Sequence, residues 1–124
     1  MSRQSNREKA VFCLYQGLLV QRDTEELIED NLTEEERRED PYILRVIRQA
    51  YEGKERYIAM LDPLLDDWSF NRLGYVEQAI LLCGCAESEI GEVAMPVIID
   101  ECVRIAKLYG DDSYRLINGV MDRI

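Results

Sequence analysis

Three basic side chains at the start of the chain, Arg3, Arg7 and Lys9, are its best candidates for binding an anion. On a helix, the four-residue spacing puts Arg3 and Arg7 on one face, whereas Lys9 points away from both. Positive charge at the amino end of a helix opposes the helix dipole, so helix stability does not account for these residues. The pattern favours phosphate binding, with ordinary solvated side chains as the alternative.

Residue types that support catalysis are scarce. The chain contains no histidine, which removes the commonest general base and the commonest nitrogen ligand of metals. It also lacks a glycine-rich phosphate loop and a pair of carboxylates in an apolar setting. Asp62, Asp66 and Asp67 lack the alternating oxygens and the glycine of a calcium loop, so we expect them on the surface. We therefore predict that the protein is not an enzyme and holds no metal or cofactor.

The cysteines lie in apolar stretches and form no CxxC pair; they are Cys13, Cys83, Cys85 and Cys102. A thiol or metal site is the functional alternative, but cysteine is among the residue types most often buried. We predict that all four are small buried hydrophobes in a reduced protein. Because no signal or transit sequence is visible at the start, we expect a cytoplasmic location and no membrane association.

Negative charge is concentrated in one segment. The formal net charge is −10, and residues 23–40 hold ten acids against only Arg37 and Arg38. Such a run is typical of a solvated face, although a mimic of nucleic acid is the functional alternative. The acidic balance argues against a protein that binds nucleic acid or a membrane surface unaided, since both require a basic footprint.

The segment Leu73–Ala86 is the element around which the other helices are expected to pack. It is apolar or glycine except at Glu77 and Gln78, and it is too short to cross a bilayer. A helix that is apolar nearly all round must be covered by other elements. We predict a compact all-α bundle of six or seven helices around this buried helix, forming one domain over residues 1–124. Glu77 then needs a partner or access to water, which makes it a candidate site residue.

Capping signals predict where the surrounding helices begin. Asn6 is a candidate cap after a frayed start at residues 1–6, Thr24 caps a short helix, and Thr33 with Glu36 matches a capping box. Asp40 followed by proline marks the next helix, which Gly53 and Pro63 bend or divide. Asp111 or Asp112 is expected to cap the last helix.

Side-chain patterns also predict contacts. Trp68, Tyr15 and Tyr109 are expected to face the core, and Asp100 to pair with Arg104 on the outside of a helix. A glycine inside the last helix, Gly119, suggests that another helix approaches closely there.

Three segments of the second half carry a family resemblance. Residues 72–82, 96–110 and 116–122 resemble, in order and spacing, the NusB family of transcription antitermination factors. The start of the chain, with Arg3, Arg7, Ala10 and then Leu14-Tyr15-Gln16, also looks like the first helix of that family. Gln4 departs from the pattern where the family often has an arginine, as does Asn6 where it often has alanine.

The resemblance implies an all-helical, non-enzymatic RNA binder that acts in transcription antitermination and rRNA synthesis. Members pair with the small ribosomal-subunit protein NusE, bind single-stranded boxA leader RNA, and thereby act indirectly on the RNA polymerase elongation complex. By matching positions, Arg3, Arg7, Lys9 and Tyr15 would contact RNA. The RNA or partner surface would also include Glu77, Asp112 and Ser113.

Two functions remain open at this point. Three cations could neutralise about three phosphates, which corresponds to a salt-dependence slope of roughly −2 for single strands. RNA binding by the chain alone should thus be weak, with NusE supplying the missing positive charge. The alternative is a NusB-like protein-interaction module with weak or no RNA binding. Because the family includes monomers and homodimers, a homodimer is a further partner to consider.

Overall fold

The computed structural model describes residues 2–124, and within them it contains eight α-helices and no strand. The helices are α1 (Arg3–Leu19), α2 (Thr24–Asn31), α3 (Glu34–Glu39), α4 (Pro41–Glu52), α5 (Lys54–Leu61), α6 (Tyr75–Ile90), α7 (Met95–Tyr109) and α8 (Tyr114–Met121). Short 3₁₀ turns occupy Asp62–Leu64, Phe70–Arg72 and Asp111–Ser113. The predicted all-α class is confirmed. No helix among residues 2–124 has the length and apolarity needed to cross a membrane.

The first helix begins earlier than predicted. Ser2 is the cap, since its Oγ accepts a hydrogen bond of 3.1 Å from the backbone N–H of Ser5. The prediction that Asn6 caps a frayed start is wrong for residues 2–6, and residue 1 lies outside the described residues. Asn6 is instead buried within the helix, where its Nδ2 donates to Asp40 Oδ2 at 3.0 Å.

The acidic segment folds into the two short helices that its caps predict. The helix number exceeds six or seven because Gly53 divides the helix that follows Asp40 into α4 and α5. Asp23, not Thr24, caps α2 by accepting from the N–H of Glu25. The predicted capping box of Thr33 and Glu36 is confirmed, because each side chain accepts from the other residue's backbone N–H. These caps satisfy the first amides of helices that contribute few core residues of their own.

The predicted buried helix is confirmed as α6, although it spans Tyr75–Ile90 and its first turn is not buried. Residues 78–87 form an unbroken buried stretch, and α1, α4 and α7 pack around it. Gln78 is satisfied by donating to the carbonyls of Phe70 and Leu73 at 3.0 and 2.9 Å. Burying a whole helix surface in this way is the main source of hydrophobic stabilisation for the bundle.

Close helix packing occurs at a different glycine from the one predicted. A Cβ on Gly84 of α6 would lie 2.7 Å from Cε of Met121 and 3.0 Å from Sγ of Cys102. Gly119 of α8 is exposed and has no neighbouring atom within 4 Å of the corresponding position, so the prediction of close approach there is wrong. Gly84 therefore permits α7 and α8 to pack on α6.

Several side chains expected in the core lie on the surface. Trp68 is 49% exposed, Tyr109 is 45% exposed and Tyr15 is 36% exposed. The expected pair of Asp100 and Arg104 is also wrong. Arg104 Nη1 is 2.8 Å from Glu8 Oε2, and its Nη2 is 3.1 Å from Glu101 Oε1. Arg104 thus links α7 to α1 instead of pointing into solvent.

Candidate nucleic-acid interface

Arg3, at the amino end of α1, is held by α4. Its Nε lies 2.9 Å from Oδ2 of Asp40, and its guanidinium carbon lies 4.4 Å from the ring centroid of Tyr42. Asp40 also caps α4, since its Oδ1 accepts from the N–H of Ile43. Although the side chain of Arg3 is 42% exposed, a carboxylate of the chain neutralises its charge.

Arg7 lies inside the bundle. Its Nε and Nη2 donate to the two carboxylate oxygens of Glu87 at 3.0 Å each, and its Nη1 is 3.7 Å from Glu101. The side chains of Arg7 and Glu87 are 9% and 5% exposed. Burial opposes the charge of Arg7, but the hydrogen bonds and charge of Glu87 outweigh it and raise the pKa of Arg7 above its ordinary value. The guanidinium cannot reach a phosphate while this pair persists.

The hydroxyl of Tyr42 completes the network by donating to Glu87 Oε1 at 2.8 Å. Burial, together with that hydrogen bond to a carboxylate, raises the pKa of Tyr42. The network joins α1, α4, α6 and α7. The expectation that fold stability does not account for the positive charge of α1 is therefore wrong for Arg7, because the helix dipole is a smaller effect than a bidentate buried pair.

Lys9 points away from Arg3 and Arg7, as predicted, and forms an ion pair with Glu36 of α3. The hydrogen bond from Lys9 and the backbone amide of Thr33 hold the pKa of Glu36 below its ordinary value of 4.5. All three predicted phosphate ligands are thus paired with carboxylates of other helices.

The predicted RNA residue Tyr15 lines an open cleft. Its ring centroid is 6.4 Å from that of Tyr75 in an edge-to-face arrangement. These two rings and Tyr109 surround a cleft of about 290 Å³ between α1, the start of α6 and the end of α7. Phe12 extends the aromatic surface, with its ring 5.4 Å from that of Tyr109. The cleft therefore presents flat, exposed rings from three helices.

Glu77 lies in the same cleft, near the predicted Ser113. Ser113 Oγ donates to Glu77 Oε2 at 3.2 Å, across the gap between α6 and the Asp111–Ser113 turn. A Cβ on Gly110 would lie 2.8 Å from that carboxylate oxygen and 2.5 Å from the hydroxyl, so only glycine leaves room for this contact. Glu77 is half-buried, so its carboxylate has both a hydrogen-bond partner and access to water.

The predicted cap at Asp111 or Asp112 does not form. Asp111 adopts the left-handed conformation with φ of 52°, and Ser113 precedes α8 without a side-chain cap. Asp112 is exposed in the turn beside Ser113. The structure thus brings Tyr15, Glu77, Asp112 and Ser113 to one side of the molecule, although they are spread over nearly a hundred residues.

Tyr75 and Tyr109 were not expected at this site. Tyr75 follows Gly74 at the start of a helix taken as wholly buried, and Tyr109 shares the apolar periodicity of α7. The signal that could have identified Tyr109 is its position in the last turn, next to Gly110, where a helix leaves its neighbours. Trp68, expected in the core, is likewise on the surface and packs under the guanidinium of Arg72 at 5.3 Å.

The cysteines are confirmed as buried free thiols. Burial raises the pKa of Cys13 and of Cys85 to about 12, so neither is a nucleophile near neutral pH. Among residues 2–124, no group of three or more candidate metal ligands occurs.

Comparison with known proteins places this architecture in a family. The model of the NusB family matches residues 4–124. Proteins named transcription antitermination protein NusB from Listeria welshimeri and Bacillus pumilus are each 32% identical over 126 residues, covering 100% of this chain and 96% and 95% of the relatives.

Solved structures agree. NusB from T. maritima superposes with a TM-score of 0.89 and 28% identity, covering 99% of this chain and 89% of that one. A chain in the crystal structure of a plectonemic RNA supercoil superposes with a TM-score of 0.85 and 26% identity, covering 98% and 91%. This chain therefore belongs to the NusB family of transcription antitermination proteins.

Proposed function

We propose that this protein acts in antitermination by binding a boxA-like single-stranded leader RNA together with a small ribosomal-subunit protein of the NusE type. The observation that carries the proposal is the cleft where Tyr15, Tyr75 and Tyr109 expose their rings. The similarity to a chain crystallised with an RNA supercoil supports an involvement with RNA. The transcribing polymerase, on which the complex would act indirectly, is the reason for assigning a cytoplasmic location.

The chemistry of the cleft suits unpaired bases. Bases of a single strand stack on aromatic side chains, and their Watson–Crick edges remain available for hydrogen bonds. Glu77 and Asp111 line the cleft, and a carboxylate accepts hydrogen bonds from the amino groups of bases. A duplex offers neither exposed base faces nor free Watson–Crick edges, so the cleft favours single-stranded RNA.

The need for a protein partner follows from charge. The chain has a net charge of −10, and Arg3, Arg7 and Lys9 are neutralised internally. RNA affinity at physiological salt depends mainly on cations that replace the counterions of phosphates. A basic ribosomal protein would supply them, and the exposed carboxylates of α2 and α3 would favour its approach.

A second candidate is a protein-interaction module with weak or no RNA binding. The same internal pairing of Arg3, Arg7 and Lys9 favours it, because these residues contribute no net field at the surface. In this case the aromatic surface would contact a protein rather than bases.

The two candidates are separated by titrating labelled boxA-like RNA with the protein, with and without the ribosomal protein. We expect binding with the partner, and we expect Tyr15→Ala to weaken it by about 5- to 150-fold, which corresponds to roughly 1–3 kcal/mol for one stacked base. Met60→Ala is the control, since Met60 is exposed on α5 and does not line the cleft.

RNA that fails to bind even at low salt with the partner present would refute the RNA function. Capture of the partner that resists nuclease, with no RNA affinity, would establish the interaction module instead.

A further inference from the structure

Two cations at the junction of α7 and α8 share one aromatic ring. Lys107 Nζ lies 5.1 Å from the ring centroid of Tyr114, and the guanidinium carbon of Arg115 lies 5.7 Å from it. Arg115 Nε also donates to the hydroxyl of Tyr114 at 3.3 Å. The attraction of both cations to the face of one ring offsets their mutual repulsion and keeps the two charges close together.

Neither cation forms an ion pair with a carboxylate among residues 2–124. Both side chains are exposed, and Tyr114 between them is half-buried against the core. Asp111 and Asp112 lie in the intervening turn, yet neither pairs with Lys107 or Arg115. In a chain with 25 acids, two adjacent cations without a carboxylate are available to an external anion.

This cation pair adjoins the aromatic cleft. Tyr109, Gly110 and Asp111 line the cleft, and in the chain they lie between Lys107 and Tyr114. An RNA strand whose bases stack in the cleft must carry its phosphates along one side of it. Proteins that bind single strands combine stacking side chains with a cationic track beside them in this way.

From this arrangement we infer that Lys107 and Arg115 form a phosphate-binding pair for the RNA backbone, with Tyr114 as the ring that positions them. The inference rests on the proposed RNA function. Lys107 and Arg115 would supply the phosphate contacts that Arg3, Arg7 and Lys9 do not provide while they are paired. A nucleic-acid backbone is favoured over an acidic protein segment because the neighbouring cleft offers rings and carboxylates suited to bases. Arg115 and Lys107 contact phosphates of any sequence, so they contribute affinity rather than specificity.

The test is the salt dependence of RNA binding by the double variant Lys107→Ala/Arg115→Ala. Each lost phosphate contact lowers the slope of log K against log salt by about 0.7 for single strands, so the expected decrease is about 1.4. The affinity should fall by the same factor for boxA-like RNA and for an oligouridine of equal length. Titrations are made with the chain alone at low salt and with the ribosomal partner.

The matched control is Arg45→Ala/Arg48→Ala, which removes the same charge from exposed side chains already paired with Glu92 and Glu25. Its slope should stay at the wild-type value. Circular dichroism melting of each variant shows whether it is folded, and Tyr114→Leu, which keeps both cations but removes their ring, should lower RNA affinity as well.

The outcomes separate the two levels of the hypothesis. Wild-type protein that binds no RNA in any condition refutes the proposed function and this site with it. Wild-type binding with an unchanged slope in the folded double variant refutes the phosphate pair alone, as does an equal loss in the control. Loss of partner binding with intact direct RNA binding would show that this junction contacts an acidic segment of the ribosomal partner instead of RNA.

Discussion

The amino end of α1 and the junction of α7 and α8 both carry cations, but the structure uses them differently. Arg3, Arg7 and Lys9 are each paired with a carboxylate from another helix. Lys107 and Arg115 contact one shared tyrosine ring and form no ion pair within residues 2–124. The first group holds helices together, and the second is open to solvent.

The difference shows that a basic stretch in a sequence is not the same as a basic surface. The charge of Arg7 neutralises Glu87, which without it would be a buried acid lacking its main partner, whereas Glu101 would keep its contact with Arg104. In an acidic protein, the cations that remain available are those that the fold places away from carboxylates. That placement depends on which helices meet.

The largest difference in stability between the two regions is expected for Arg7→Ala. Removing one member of a buried ion pair leaves an uncompensated charge, so we expect a loss of about 3–5 kcal/mol in the free energy of unfolding, measured by urea denaturation. Lys107→Ala should change it by less than about 0.5 kcal/mol, because an exposed cation without a partner contributes little.

The double variant Arg7→Met/Glu87→Gln serves as the control, since it removes both charges and keeps most of the volume. It should recover a large part of the stability lost in Arg7→Ala. A loss below about 1 kcal/mol for Arg7→Ala would mean that the pair is not structural, and the RNA role of Arg7 would return to consideration.

A smaller effect is expected at the pair of Lys9 and Glu36, and it should depend on pH. The folded pKa of Glu36 lies below 4.5, so its stabilisation is complete above that pH and is lost as the pH falls through the folded pKa. Glu36→Gln should therefore destabilise by about 1.5–3 kcal/mol near neutral pH, and the difference from wild type should shrink on acidification.

Urea denaturation at a series of pH values measures this difference. Glu35→Gln is the matched control, because Glu35 is exposed on the same helix and forms no ion pair among the described residues. A Glu36 effect that is equal at neutral and acidic pH would show that the capping hydrogen bonds, and not the charge, carry the stabilisation.

The smallest effects on stability are expected at two glycines: Gly84 lies near Arg7, and Gly119 lies in α8. Gly119 lies on the open side of α8, so Gly119→Ala should stabilise the protein by up to about 1 kcal/mol through helix propensity. Gly84 shares a cavity lining with Arg7 and Glu87, and Gly84→Ala must displace Met121 or Cys102. Thermal melts should therefore move in opposite directions. A lower melting temperature for Gly119→Ala would indicate a contact at α8 that the isolated chain does not reveal.

The sequence by itself determined the helical class, the buried helix and several boundaries. The apolar run now seen as α6, the capping box at Thr33 and the cap at Asp40 depend on local spacing and on backbone amides a few residues away. The buried thiols follow from residue type and apolar context in the same way. Each of these features is encoded within a short window, so periodicity and caps are sufficient to predict it.

Only the tertiary structure decided which charges are neutralised and which rings are exposed. The partner of Arg7 lies 80 residues away at Glu87, and Tyr15 contacts Tyr75, which lies 60 residues further along the chain. Helical periodicity identifies an apolar face but not where that face extends beyond its neighbours, so it wrongly predicts that Tyr15 and Tyr109 lie in the core, as residue type wrongly predicts for Trp68. Ion pairs and exposure depend on the relative placement of helices distant in sequence, and that placement results from packing the whole core at once.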